Sequence, residues 1–520
     1  MAPCSARKEK VPLTAVALTF LLILLLGNFT SMASASGNCG SEGSTCLVPS
    51  EFVGVVKEVI GLLGNVGSIL SKFTGGFGNF HLTNAILDGL DLLDMSSDEL
   101  NLFLSVIQNP KGRNNLELDL ATWLSAVLAN LDTCLDGFEG TNSIIKGLIS
   151  PGLRLVTSPV TNLLAKVDVS QNDFFEDAEA GAGEGRFPSW VKPRERKLLQ
   201  ANRVVPNAVV AADGSGNFRR IMDAVMAAPN NSNTRFVIYV KRGVYNEYVE
   251  INKNKRNIMM IGDGIGATII TGNRNYVDGW TTFRSATFVV VGEGFIARDI
   301  SFQNTAGPAK KQAVALRTDS DFSVFFRCGI FGYQDTLYVH SMRQFFRECT
   351  ISGTVDFIFG YGTAVFQKCN ILIKKGSPDQ KNAITAHGRE DPNEPTGFSL
   401  QFCNIIADSD LVPFVKTTES FLGRPWKKYS RTVFMQNYIS DVISPLGWTP
   451  WNGSIGLDTL YYAEYMNTGP GAGVANRVKW LGYRVLKTSR EASNFTVANF
   501  IQGNSWLPST GVAFSAGLSL

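Results

Sequence analysis

A repeat constrains this chain more than any other feature. The segments FRCGIFG, RECTISG, QKCNILI and QFCNIIA each place a cysteine two residues before an isoleucine, with the cysteines at 328, 349, 369 and 403. The steps are 21, 20 and 34 residues. Steps near 20 residues are the length of one coil of a parallel β-solenoid, and the longer step is a coil carrying an insertion. Short β-rich runs (RFVIYV, IMMIG, ATFVVVG, SVFFRCGIFG) supply the strands, and 50 Gly with 34 Phe fit tight corners between stacked layers. Equivalent positions on successive coils lie about 4.8 Å apart. Cys349 and Cys369 therefore come within disulfide range. They either bridge, as export would favour, or stay free as small core groups.

The same period explains two aspartates set among aromatic and aliphatic residues in GYQDTLYVHSMRQFFRECTISGTVDFIFGYG. Asp335 and Asp356 are 21 residues apart, and Gln312, Gln334 and Asp356 follow at steps of 22. One coil per step brings them onto one face. Two carboxylates in a partly apolar groove do not both ionise readily, so one keeps its proton as an acid while its neighbour serves as nucleophile or base. Nearby amides suit a developing oxyanion, and Arg424 in LGRPW is a candidate to fix one carboxylate. Stacked Asp and Gln also serve purely structural ladders, so spacing alone leaves both readings open. Only three histidines occur, at 81, 340 and 387, and there is no C-x-x-C or H-E-x-x-H. A Ser-His-Asp site and a metal site are poorly provided for, and no cofactor is implied.

The rest of the 520-residue chain divides by composition. Residues 1–35 read as a signal peptide or signal anchor: Lys8 and Lys10 precede the apolar run Val11–Gly27, and Ala33-Ser34-Ala35 offers a cleavage site. Residues 36–167 form the next region; helical periodicity runs from about Glu51 to Val167, as in LTNAILDGLDLLDMSSDELNLFLSVI and TWLSAVLANLDTCLDGF, and predicts an all-α up-and-down bundle. Residues 168–199 have linker composition and end in RKLL (Arg196, Lys197, Leu198, Leu199), a plausible protease target. Residues 1–200 carry 15 Lys/Arg against 21 Asp/Glu, and residues 201–520 carry 33 against 24. The basic half favours an anionic partner. The chain lacks a basic run interleaved with aromatics, so nucleic acid is not expected.

The blocks DGSGNF, NTAGP…QAVALR, GYQDTLY, DFIFG, LGRPW, GWTPWNG and WLPSTGV occur in order within residues 200–520. In these the chain resembles the plant pectin methylesterases. The resemblance implies a right-handed parallel β-helix that hydrolyses methyl esters of homogalacturonan and is secreted to the plant cell wall. It implies Asp356 as nucleophile, Asp335 as proton donor and then base, Gln312 and Gln334 as oxyanion stabilisers, and Arg424 as the group orienting Asp356. It also implies sugar contacts from Thr282, Trp426 and Trp448, and a pairing of Cys349 with Cys369. The helical region resembles the inhibitor-like pro-region of the same family, and RKLL its processing motif. Expected partners are the methylated polymer, a subtilisin-like processing protease and proteinaceous pectin methylesterase inhibitors. Where the family places a cysteine to pair with the residue matching Cys134, this chain has Gly89, so Cys134 is expected unpaired. The competing readings are a pectate lyase or polygalacturonase on the same solenoid, or a non-catalytic wall-binding helix. The aspartate blocks resemble neither of those enzymes, and all five catalytic candidates are present.

Overall fold

The computed structural model describes residues 49–75, 78–109, 115–141, 143–167, 205–378 and 380–518. The signal or anchor segment, the linker and RKLL lie outside them.

Four helices come first: α1 (Pro49–Ser71), α2 (Phe80–Gln108), α3 (Leu116–Asp136) and α4 (Ile144–Leu164). The Asn79 side chain caps α2 by accepting from the Leu82 N–H, and Ser143 caps α4 at Ile145. The fourth helix carries Pro151 and Pro159 inside it. Its buried residues 145, 149, 153, 156 and 160 still fall on one face at helical spacing. Short connections make neighbouring helices antiparallel. Cys134 is a buried free thiol, and a Cβ built on Gly89 would lie 3.1 Å from its sulfur.

From Ala208 on, the chain winds into three sheets of eleven, seven and eight strands, each pairing parallel in every neighbour. This is a parallel β-helix. The seven-stranded sheet runs Leu316↔Leu337↔Ile358, a register of 21 residues per coil. The interior explains the phenylalanines: Phe325, Phe346 and Phe366 are register partners whose rings stack at 4.8 and 4.7 Å. The helices and the coils belong to one compact unit, Ser50–Leu520.

The cysteine repeat has a different cause from a disulfide. Between the eleven- and eight-stranded sheets each coil from Asp299 onward turns through one left-handed residue: Asp299, Arg327, Glu348, Lys368, Phe402, Gln436 and Met466 all have φ between 47° and 58°. The next residue points inward. There Cys349, Cys369 and Cys403 donate to the carbonyls of Phe325, Phe346 and Phe366, one coil back, at 3.2, 3.6 and 3.3 Å. On the next two coils Asn437 and Asn467 make the same bond, to Leu400 and Phe434, at 3.0 and 3.1 Å. The corner needs a small inward donor, and thiol and amide both serve. Cys349 and Cys369 are free thiols, so the expected pairing between them is not present.

Candidate active site

A second corner, between the eight- and seven-stranded sheets, carries the aspartates. Asp335 and Asp356 also adopt left-handed backbone, with φ of 60° and 50°. Such conformations cost of order 1–3 kcal/mol in non-glycine residues, least for Asp and Asn. The Asp335 N–H donates to the Val355 carbonyl at 3.0 Å, which locks the two corners together. The two residues are 7% and 4% exposed. Arg424, just past the strand Ser420–Gly423, grips Asp356 with two parallel bonds, Nε to Oδ1 at 2.8 Å and Nη2 to Oδ2 at 2.6 Å. That charge-assisted fork fixes the plane of the Asp356 carboxylate. Burial, and then the neighbouring Asp356 charge, push Asp335 well above the usual carboxylate range, with Arg424 opposing in part. One carboxylate is clamped by a guanidinium and the other is set to keep its proton.

Gln312, Gln334 and Thr282 line the same cavity of about 480 Å³, together with both aspartates and Trp426. The Gln312 Oε1 is buried without a partner, so this oxygen is not tied into a structural ladder. Trp426 packs at 4.8 Å on Tyr361, and Tyr338 stacks at 4.2 Å on Phe359, giving the cavity an aromatic wall.

Trp448 is not part of that wall. It is 1% exposed, stacks on Tyr462 at 4.1 Å and bridges to Gly423, directly under Arg424. The ring that faces the cavity is Trp451, three residues on, over which the Arg424 guanidinium lies at 4.1 Å. Both tryptophans belong to GWTPWNG, and the turn between them decides which points inward.

The helical region closes the cavity from above. His81, Thr133, Asp136, Gly137 and Glu139 line it from that side. Thr133 Oγ1 lies 2.9 Å from His340 Nε2 and 3.2 Å from the Tyr338 hydroxyl, and Tyr361 donates to Asp132 at 2.6 Å. Lys427 pairs with Asp132, Arg284 with Asp88, and Arg343 with Asp119. Burial is the largest cause that pushes Asp88 up to about 6 and Asp136 to about 7; Arg284 opposes the first, and the Asp132 charge adds to the second.

The pectinesterase family profile matches residues 207–504, and the plant invertase/pectin methylesterase inhibitor profile matches residues 61–165. The pectinesterase/pectinesterase inhibitor PPE8B of Prunus persica is 59% identical over 515 residues, covering 97% of each chain. The chain belongs to the pectinesterase family. Pectinesterase 2.2 of Solanum lycopersicum is 49% identical, over 88% of this chain and 82% of its own. Among solved structures, the pectin methylesterase from carrot matches with 56% identity and a TM-score of 0.61, over 61% of this chain and all of that one. The enzyme from Aspergillus niger matches at 30% with a TM-score of 0.50, over 57% of this chain and 94% of that one.

Within this pectinesterase, sequence reasoning missed Trp451, Tyr338, Phe359, Tyr361 and the helical residues over the cavity. The first four were flagged by their place in the quoted blocks. The helical contacts had one signal, the acidic excess of the first 200 residues against the basic excess of the remainder.

Proposed function

We propose that this pectinesterase hydrolyses methyl esters at C6 of homogalacturonan with Asp356 as nucleophile and Asp335 as acid and then base. An Asp356 oxygen attacks the ester carbonyl carbon. The amides of Gln312 and Gln334 donate to the oxyanion that forms, each such donor being worth about 10²–10³ in rate. As the intermediate collapses, Asp335 gives its proton to the departing methoxide, and methanol leaves. The anionic Asp335 then takes a proton from water, whose oxygen attacks the acyl carbon and frees Asp356 and the uronate product. Thr282, Trp426 and Trp451 hold the sugar rings. The observation that carries this reading is the Arg424 fork on Asp356 beside a buried Asp335 whose burial favours the protonated form.

The helical layer keeps the cleft covered until it is released. Cleavage after Leu199 by a subtilisin-like protease would separate the two parts, and separate inhibitor proteins would use the surface the layer uses. The exported enzyme acts in the plant cell wall.

Methanol release from highly methylated pectin by residues 200–520, with and without Asp356→Asn, tests the chemistry. The variant is expected to lose about 10⁴-fold or more in kcat. Equal release by both would remove Asp356 from its role.

A further inference from the structure

Three cations of the β-helix each meet two carboxylates of the helical layer. Lys253 meets Asp94 and Asp98, Arg284 meets Asp88 and Asp91, and Lys427 meets Asp132 and Asp136. Residues 88, 91, 94 and 98 fall at steps of three, three and four, so they form one acidic stripe along α2, and 132 and 136 are one turn apart on α3. The cations bracket the catalytic corner. Lys253 follows the strand Val249–Ile251 and Arg284 precedes Phe288–Val290, at one end of the seven-stranded sheet. Lys427 follows Ser420–Gly423, at the other end. Six strand steps separate the ends, about 29 Å. The helical layer thus lays a row of carboxylates along the cleft, the pattern that a de-esterified stretch of polyuronate would present.

We propose that unesterified polyuronate, the product of the reaction, competes with this acidic stripe for Lys253, Arg284 and Lys427 and displaces the helical layer from the cleft. The inference rests on the esterase reading for the nature of the product. Access favours it: the side chains of Asp91, Asp94 and Asp98 are 58%, 65% and 51% exposed, so a polyanion can exchange in from that end. Such rim pairs are individually weak, and a polymer engaging both ends at once gains from multivalency where a monomer cannot. Each ester cleaved near an uncovered site then adds a competitor for the layer that covers its neighbours.

The test uses the full chain and reads hydrogen exchange across α2 and the strands Leu337–Val339 and Ile358–Gly360. Unesterified oligogalacturonate long enough to span the cleft is compared with monomeric galacturonate at equal carboxylate concentration and with KCl at equal ionic strength. The expected result is faster exchange with the long oligomer alone, and a threshold roughly threefold lower in Asp94→Asn/Asp98→Asn, two exposed changes that spare the bundle core. No change with the long oligomer, or an equal change with monomer or salt, would overturn the proposal. Methanol release from a methylated substrate, followed in parallel, reports on the esterase reading separately. Oligomer-driven exchange without methanol would defeat that reading and leave the displacement standing. Methanol without oligomer-driven exchange would do the reverse.

Discussion

The two corners of each coil share a backbone and differ in what they do with it. At the corner after the eleven-stranded sheet, the left-handed position accepts Asp, Arg, Glu, Lys, Phe, Gln or Met. The inward neighbour carries the repeat, as a thiol or an amide bonded to the coil before it. At the corner that precedes the seven-stranded sheet, the left-handed positions of two successive coils are themselves aspartates, and the carboxylate of the second, Asp356, is held by an arginine 68 residues away rather than by the neighbouring coil. Periodicity in the first case is stability. In the second, the same periodicity brings unlike groups together and is chemistry. Each corner should therefore fail in its own way.

Among changes that leave both aspartates in place, the largest effect is expected from Arg424→Lys. Lysine keeps the charge but loses the two-pronged fork and its fixed plane. Asp356 would then be poorly aimed, and kcat should fall about 10²–10³-fold with the thermal midpoint little changed. A comparable loss of stability would mean that the fork is part of the frame, and the contrast between corners would collapse.

At the structural corner the outcome should invert. Asn437 donates to the Leu400 carbonyl, and its Oδ1 accepts from the Cys403 N–H at 2.8 Å. Asn437→Ala strips these bonds and a third, from its Nδ2 to Asn467 Oδ1 at 3.1 Å, from a buried site and is expected to cost about 2 kcal/mol in denaturant unfolding, with kcat per folded molecule near wild type. Asn437→Cys should recover part of it, since the thiol already makes this bond on three coils.

How much of this was legible in the sequence follows from the same distinction. The coil length, the stacking of Asp335 on Asp356 and the shared face of Gln312 and Gln334 could be read from period alone, since a parallel register converts sequence separation into distance. The cysteine repeat was legible as geometry and misread as chemistry: spacing places two sulfurs near each other, but whether they bond depends on which way the corner aims them. Trp448 was misassigned for a related reason. Two tryptophans three residues apart in a non-repeating loop have no period to say which is inward. Only the bridge to Gly423 and the stack on Tyr462 settle it. The occluding helices were legible as helices, yet their docking was not, because it depends on pairs such as Asp88 with Arg284, 196 residues apart, that no local pattern encodes.

A smaller effect should separate the corners by pH. Asp335 binds its proton more tightly in the folded protein than in the unfolded chain, where a carboxyl of this type titrates near 3.9. The folded state therefore holds a proton that the unfolded state has released, and this group's contribution to stability is present below that value and lost as pH rises toward the folded pKa. Asp335→Asn removes the term. Its thermal midpoint should exceed that of wild type by about 2–4 °C at neutral pH, with the gap closing as pH falls toward about 4, while activity is lost throughout. A gap that stays constant with pH would mean that Asp335 is ionised in the fold and is not poised as the acid.

The smallest expected change comes from Trp448→Phe, and its value lies in which constant moves. The indole fills the space under Gly423, where a Cβ would meet its ring at 3.2 Å, and its Nε1 is buried without a partner. Phenylalanine keeps an aromatic face toward Tyr462 and removes that unpartnered N–H, so folding should survive. The smaller ring lets the Gly423–Arg424 backbone settle, which shifts the guanidinium from its line with Asp356. We expect kcat to fall roughly threefold with KM unchanged. Trp451→Phe, by contrast, should raise KM, because that ring faces the cavity. A rise in KM for Trp448→Phe would return this residue to the sugar-binding wall, and would mean that the loop from Gly447 to Trp451 turns over when substrate binds.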